Sequence, residues 1–185
     1  DTTKEVMLNG YKHSYPFSFA VIDNFLCDEQ INKSLEDVRK LETSKADYKF
    51  YESWWELNKY AFQTNLGENL NNIFKYLSSD EFIDYLEKLT GIKGIIRNDL
   101  KLKGAGIHRI LKDGFLKAHT DFNSYDSDKH GRLDRRINLL LYLNPDWKEE
   151  YNGHLLLCDI HKQKVNYKIA PLLNRCVIFN TTKTS

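Results

Sequence analysis

Gly114–Asn123, GFLKAHTDFN, is the stretch that decides the reading of this chain. His119, Thr120 and Asp121 follow a Gly-containing turn signal and fall in an apolar strand pattern. Residues i and i+2 of a strand project to one face. The spacing therefore predicts an imidazole and a carboxylate converging on one ion, which makes His119 and Asp121 candidate metal ligands and the residues expected to carry catalysis. Asp113-Gly114 reads as a turn, with separate strands over 104–111 and 115–122 on either side.

Toward the C-terminus, strand-like segments recur at 135–143, 153–158, 163–170 and 174–181. Asn144-Pro145-Asp146 and Asn152-Gly153 punctuate them as turns. Residues 123–134, NSYDSDKHGRLD, read as a long polar loop, of the kind that serves as a lid or recognition element. His130, Arg132, Arg135 and Arg136 give it a basic side, but Asp126, Asp128 and Asp134 interleave, which weighs against nucleic acid. After the loop, Arg136, Asn138, Leu140 and Tyr142 share one strand face, and Ile137, Leu139, Leu141 and Leu143 share the other. The all-apolar face is expected in the core or on the helices.

Toward the N-terminus the period changes. Residues 16–26, PFSFAVIDNFL, read as a short strand running into a turn at Asp23-Asn24. A helix follows, with Asp28 as its expected cap and Ile31, Leu35, Val38 and Leu41 as its apolar stripe. A second helix is expected over 67–77, with Leu70, Ile73, Phe74 and Leu77 apolar. Ser78-x-x-Glu81 is a capping box that opens a third, carrying Phe82, Leu86 and Leu89 and closed by Gly91. The aromatics Tyr48, Phe50, Tyr51, Trp54, Trp55, Tyr60 and Phe62 are expected to bury against a sheet. Helices first and strands afterwards, with the change near Lys101, predict an α+β fold: a mainly β core, a sandwich or jelly roll, with N-terminal supporting helices.

At 185 residues the chain suits one domain, read as 1–185 with about 16–100 as helical support and 101–185 as strands. Lys plus Arg (27) and Asp plus Glu (26) nearly cancel, so no global field draws it to nucleic acid or a membrane surface. Cys27, Cys158 and Cys176 are odd in number and lack CxxC spacing, which implies neither a disulfide framework nor a zinc knuckle. No apolar run approaches the roughly 18 residues of a membrane span, and the opening DTTKEVMLNG lacks a signal-peptide profile. A cytoplasmic protein is expected, with no nucleic-acid or membrane partner; its oligomeric state is not legible.

GFLKAHTDFN, RRINLLLYLNPDWKEEYNGHLLLCD (135–159) and APLLNRCVIFN (170–180), preceded by PFSFAVIDNFL, together resemble the prolyl 4-hydroxylase-like branch of the Fe(II)- and 2-oxoglutarate-dependent dioxygenases. The resemblance runs from about residue 16 to 181, and the ordered set of segments is far more specific than HxD alone. It implies a double-stranded β-helix with HxD on its second core strand, and His119 and Asp121 as iron ligands. A facial set of two His and one carboxylate with open positions is the arrangement of non-haem Fe(II) oxygenases.

Six core strands align with the family, ending near Thr181. The resemblance implies that the distal His and the basic anchor of 2-oxoglutarate lie on two strands past Ser185, so the third metal ligand is expected there. Of the internal alternatives, His108 would face His119 if Asp113-Gly114 closed a hairpin, His154 reads as structural or pocket-lining, and His130 and His161 fall in loops. Asn138 occupies the place where relatives carry a Thr that touches 2-oxoglutarate, and Tyr142 is a second candidate cosubstrate contact. Ile110 stands where some relatives carry a pocket Tyr. The implied cofactors are Fe(II) and 2-oxoglutarate, with ascorbate as a further candidate. The implied reaction couples oxidative decarboxylation of 2-oxoglutarate, to succinate and CO2, with hydroxylation of a C–H bond. The expected substrate is a prolyl residue of a peptide or protein. The alternatives are a free amino acid or other small molecule, or a catalytically inactive jelly-roll binding module.

Overall fold

The computed structural model describes residues 10–11, 14–43, 48–99, 104–159 and 161–181. The opening segment 1–9 and the expected change of period at Lys101 lie outside them. The chain is mainly β with a few helices, and it forms two compact units: residues 1–25, 86–93 and 118–185, and residues 26–85 and 94–117.

In the first unit, strand β1 (Phe19–Ile22) pairs antiparallel with β10 (Cys176–Asn180), which pairs on its other side with β7 (Ile137–Leu141). β10 is apolar through Cys176–Phe179 because both of its edges and both of its faces are covered; those four residues are at most 6% exposed. Val177 and Phe179 join Leu157 and Ile169 in a core against which Phe17, Phe19, Val21, Leu140, Tyr142 and Leu155 pack. Leu157 and Ile169 come from β8 (Leu155–Asp159) and β9 (Lys164–Ile169), an antiparallel pair. Asp23 and Arg175 tie the exit of β1 to the entry of β10 by two hydrogen bonds, Nε to Oδ1 at 2.6 Å and Nη2 to Oδ2 at 2.9 Å. The β1 strand and the turns at 144–146 and 152–153 fall where the sequence places them; Asp146, Asn152 and Gly153 all take positive φ.

The register of β7 assigns its faces. Leu140 stands opposite Val177, and Asn138 opposite Phe179, so the mixed face of β7 is the one that looks into this core. The pure apolar face, Ile137, Leu139 and Leu141, is half-buried and shares its side with Ile178, which is fully buried.

Residues 124–134 differ from the expected loop. They form a hairpin, β5 (Ser124–Ser127) and β6 (Gly131–Asp134), with Ser124 opposite Asp134 and Ser127 opposite Gly131. Gly131 at φ 69 lets the chain turn back tightly. The polar composition that reads as a loop is that of a two-stranded ribbon with no face to bury, which leaves no apolar alternation to detect.

In the second unit, helix α1 (Asp28–Thr43) packs on α2 (Glu68–Leu77). The stripe of α1 holds at Ile31, Leu35 and Leu41, with Val38 half-buried. Asp28 is not its cap; it sits in the first turn, and Cys27 precedes it with its N–H held by Gln30 Oε1 at 3.3 Å. A Gln three residues into the helix supplies that reach-back bond, while Asp28 is one position too late to cap. The cap of α2 comes from a distance: Asp37 of α1, its side chain 3% exposed, accepts from the N–H groups of Asn69 (2.8 Å) and Leu70 (3.3 Å). Burial acts to raise the Asp37 pKa, but the hydrogen bonds from Leu70 and Asn69 outweigh it and hold the carboxyl below its ordinary value of 3.8. The stability this carboxylate contributes is full above pH 3.8 and is lost as pH falls through the lower folded value. Acidification should therefore open the first turn of α2 early, an outcome that hydrogen exchange of the Asn69 and Leu70 amides above and below that pH reads directly.

Helix α3 (Asp80–Thr90) buries Phe82, Ile83, Leu86 and Leu89 and ends before Gly91 at φ 74. Its cap is Ser79, whose Oγ accepts from the N–H of Phe82 at 3.3 Å; Ser78 is occupied as the C-cap of α2, with its N–H on Phe74. The capping box reads one residue early for that reason.

The aromatic segment is corrected by a sheet, β2 (Tyr48–Tyr51), β3 (Glu56–Phe62) and β4 (Ile107–Leu116). Only Phe62 of these aromatics is buried; Tyr48, Phe50, Trp54 and Trp55 are exposed by 54, 44, 80 and 39%. Tyr60 stacks between Tyr48 and Phe50, with ring centroids 5.0 and 4.8 Å away, so the rings cover one another across the strands.

Asp113-Gly114 is not a hairpin turn either. β4 runs through it: Leu57 of β3 faces Phe115 and Lys59 faces Ile110, so Asn58 alone stands opposite residues 111–114. This is a special bulge, four residues opposite one, with Asp113 at φ 64 and the Asn58 amide on the Lys112 carbonyl at 3.2 Å. A Cβ at Gly114 would meet the Leu111 and Leu57 carbonyl oxygens at 2.8 Å, which is why glycine stands there. The two expected strands 104–111 and 115–122 are thus one strand that ends at Leu116.

Candidate metal centre

Ending β4 at Leu116 leaves residues 117–123 as irregular chain, so His119 and Asp121 are not on a strand. Their side chains nonetheless approach: His119 Nε2 lies 3.6 Å from Asp121 Oδ1. Tertiary contacts, not the strand pleat, hold them. The N–H of Arg135 closes onto the Asn123 carbonyl at 2.8 Å and fixes the end of the irregular segment. Asn138, on the core-facing side of β7, donates from Nδ2 to Asp121 Oδ2 at 2.6 Å. Arg135 brings Nη1 to 3.5 Å from Asp121 Oδ1, and its guanidinium lies 4.4 Å over the Phe122 ring.

The donor set is an imidazole nitrogen and a carboxylate oxygen, with side chains 33 and 20% exposed. Two ligand bonds of about 2.1 Å can bridge a 3.6 Å separation, so the pair fits one small divalent cation. Among the described residues, no group of three or more His, Cys, Asp or Glu gathers as a metal-holding cluster.

The remaining histidines have other settings. His108 stands opposite Ala61 in the β3–β4 ladder, so the hairpin that would bring it to His119 does not form. His130 lies in the β5–β6 turn, its N–H on Ser127 Oγ. His154 Nε2 is 3.1 Å from Glu149 Oε2 and its ring stands edge-on to Trp147, while Lys168 holds the other Glu149 oxygen at 2.7 Å. His161 follows β8, its N–H on Asp159 Oδ1 at 2.9 Å. Of the expected cosubstrate contacts, Asn138 is engaged with Asp121, and Tyr142 packs against the core with burial pushing its hydroxyl up to about 12. Ile110 lies on β4 at the bulge and is 47% exposed.

Residues 105–185 match the family model of the 2OG-Fe(II) oxygenase superfamily. The matched stretch contains His119, Asp121, Arg135 and Asn138, and it implies Fe(II) and 2-oxoglutarate as the groups such a centre uses. The match stands at the level of the superfamily and supports a 2-oxoglutarate-dependent dioxygenase. No curated protein matches the chain. Among the described residues no helix is long and apolar enough to cross a membrane.

Arg135 is the contact that sequence reading places wrongly, as part of a basic loop side. Its parity differs from that of Asn138, and both reach Asp121 only because the chain at 135–136 is irregular before β7 begins. No spacing in the sequence signals that.

Proposed function

We propose that this protein is an Fe(II)- and 2-oxoglutarate-dependent dioxygenase of the prolyl-hydroxylase-like branch, built on a double-stranded β-helix and hydroxylating a prolyl residue of a peptide or protein. The observation that carries the reading is the 3.6 Å approach of His119 Nε2 to Asp121 Oδ1 inside the stretch that matches the superfamily. His119 and Asp121 would hold the iron, and a His following Ser185 is the proposed third ligand. Bound together, Fe(II), 2-oxoglutarate and O2 supply the oxidising power for hydroxylating an unactivated C–H bond.

The chain's own part is binding and orientation. Asn138 fixes the Asp121 carboxylate from a strand whose other core-facing residue, Leu140, packs in the core together with Tyr142 just past the strand's end, so the ligand is held by a rigid element. The Tyr142 hydroxyl, whose ordinary value of 10.0 burial raises further, stays protonated through the neutral range, which leaves it a donor. The β5–β6 hairpin, which follows directly on the ligand segment, is proposed to select the substrate.

Succinate formation by the full-length protein with Fe(II) and 2-oxoglutarate, across Pro-containing peptides, Pro-free peptides and free amino acids, tests the reading. Stimulation by Pro-containing peptides, with one added oxygen in the peptide by mass, is expected. Stimulation by free amino acids instead would move the substrate to the small-molecule class. No succinate with any of them would leave a jelly-roll binding module. A chain ending at Ser185 should show a small fraction of the full-length rate, since two ligands hold a divalent ion loosely; equal rates would place the third ligand within residues 1–185.

A further inference from the structure

We propose that the two oxygens of Asp121 have separate duties, set by two residues of one segment: Asn138 is a positioning residue that reserves Oδ2, and Arg135 is an internal counter-ion that metal displaces from Oδ1. This rests on the reading of Asp121 as a metal ligand.

Asn138 Nδ2 sits 2.6 Å from Oδ2, and the Asn138 backbone is fixed opposite Phe179 of the central strand β10. Asp121, by contrast, lies in irregular chain with no ladder of its own to orient it. The amide therefore aims the carboxylate and leaves Oδ1 as the oxygen turned to His119. That same oxygen is the one Arg135 Nη1 faces at 3.5 Å. A guanidinium and a divalent cation that share one carboxylate oxygen repel each other, so metal entry and the Arg135 contact oppose each other.

The backbone of Arg135 cannot yield. Its N–H is on the Asn123 carbonyl, its own carbonyl accepts the Thr181 hydroxyl, and the Thr181 N–H holds the next carbonyl, that of Arg136, at 2.9 Å, with Thr181 3% exposed. The side chain is what moves, and the Phe122 ring beneath the guanidinium gives it a resting place that does not need the carboxylate. In the metal-free protein Arg135 thus balances the Asp121 charge; on loading, the cation takes that role.

The two roles predict opposite signs. Mn(II) binding to the full-length, metal-stripped protein, read by electron paramagnetic resonance of the free ion at low ionic strength, is the measurement. Asn138→Ala should weaken Mn(II) binding by about tenfold or more, the usual cost of losing a partner behind a ligand. Arg135→Gln should tighten it several-fold, by an amount that shrinks as salt is added. Arg135→Lys keeps the charge and should restore wild-type affinity; it also serves if Arg135→Gln does not fold, since weaker binding by Arg135→Lys than by wild type would overturn the counter-ion role. Weaker binding by both Asn138→Ala and Arg135→Gln, or no change in either, would overturn the division of duties. His119→Ala is the control that separates the two readings: if wild type binds Mn(II) no better than His119→Ala, the metal assignment itself falls, and this inference with it.

Discussion

Alanine at Asp121, or at His119, is expected to remove stoichiometric Fe(II) from the protein, with a loss of affinity beyond the roughly 100-fold that follows from losing a mere outer partner. Each is one of the two donors that the described residues bring together, 3.6 Å apart, and among the described residues no group of three or more His, Cys, Asp or Glu gathers to replace it. Asp121→Ala has a second consequence, because it strands the Asn138 amide and the Arg135 guanidinium that the carboxylate engages. Asp121→Asn separates the two effects by keeping an acceptor for Asn138 while removing the charge. Metal content after anaerobic loading and desalting is the readout. Full iron in both alanine variants would remove His119 and Asp121 from the metal site.

Gly67→Ala is expected to cost about 3 kcal/mol, one of the largest penalties a single methyl can impose here. Gly67 precedes α2 at φ 91, a conformation that an L residue rarely adopts. An added Cβ would lie 2.4 Å from Asp37 Cγ and 2.5 Å from Oδ2. Asp37 cannot turn aside without releasing the N–H groups of Asn69 and Leu70, so strain and lost capping add together. Urea denaturation of wild type, both single variants and the Gly67→Ala, Asp37→Ala double variant forms a cycle. The methyl should cost markedly less once the Asp37 carboxylate is gone. A Gly67→Ala variant within about 0.5 kcal/mol of wild type would show that the α1–α2 junction relaxes freely.

The three helices and the strands at 19–22, 155–159, 164–169 and 176–180 lie where the sequence places them: each helix carries an apolar stripe, and the strand at 176–180 is a run covered on both faces. The misreadings share one cause. Asp113-Gly114 carries the chemistry of a tight turn, but β3 offers continuous partners on both sides of it and turns the pair into a bulge. The β5–β6 hairpin buries too little to leave an apolar alternation, and the aromatics of β2 and β3 satisfy one another by stacking across strands while staying exposed. In each case cross-strand pairing overrides a local preference worth about 1 kcal/mol.

For the site, the sequence by itself determined which residues are eligible: an imidazole and a carboxylate two positions apart, inside segments whose order resembles one family and whose stretch 105–185 matches the 2OG-Fe(II) oxygenase superfamily. Tertiary structure alone decided how they meet. The segment 117–123 is not a strand, so the approach of His119 to Asp121 owes nothing to the pleat. Asn138 and Arg135 reach Asp121 across 17 and 14 residues of chain, over an intervening hairpin, and their different parity hides the shared target from any periodic reading. Side-chain direction in irregular backbone is set by whatever partner lies opposite, and that partner is known only once the chain has folded.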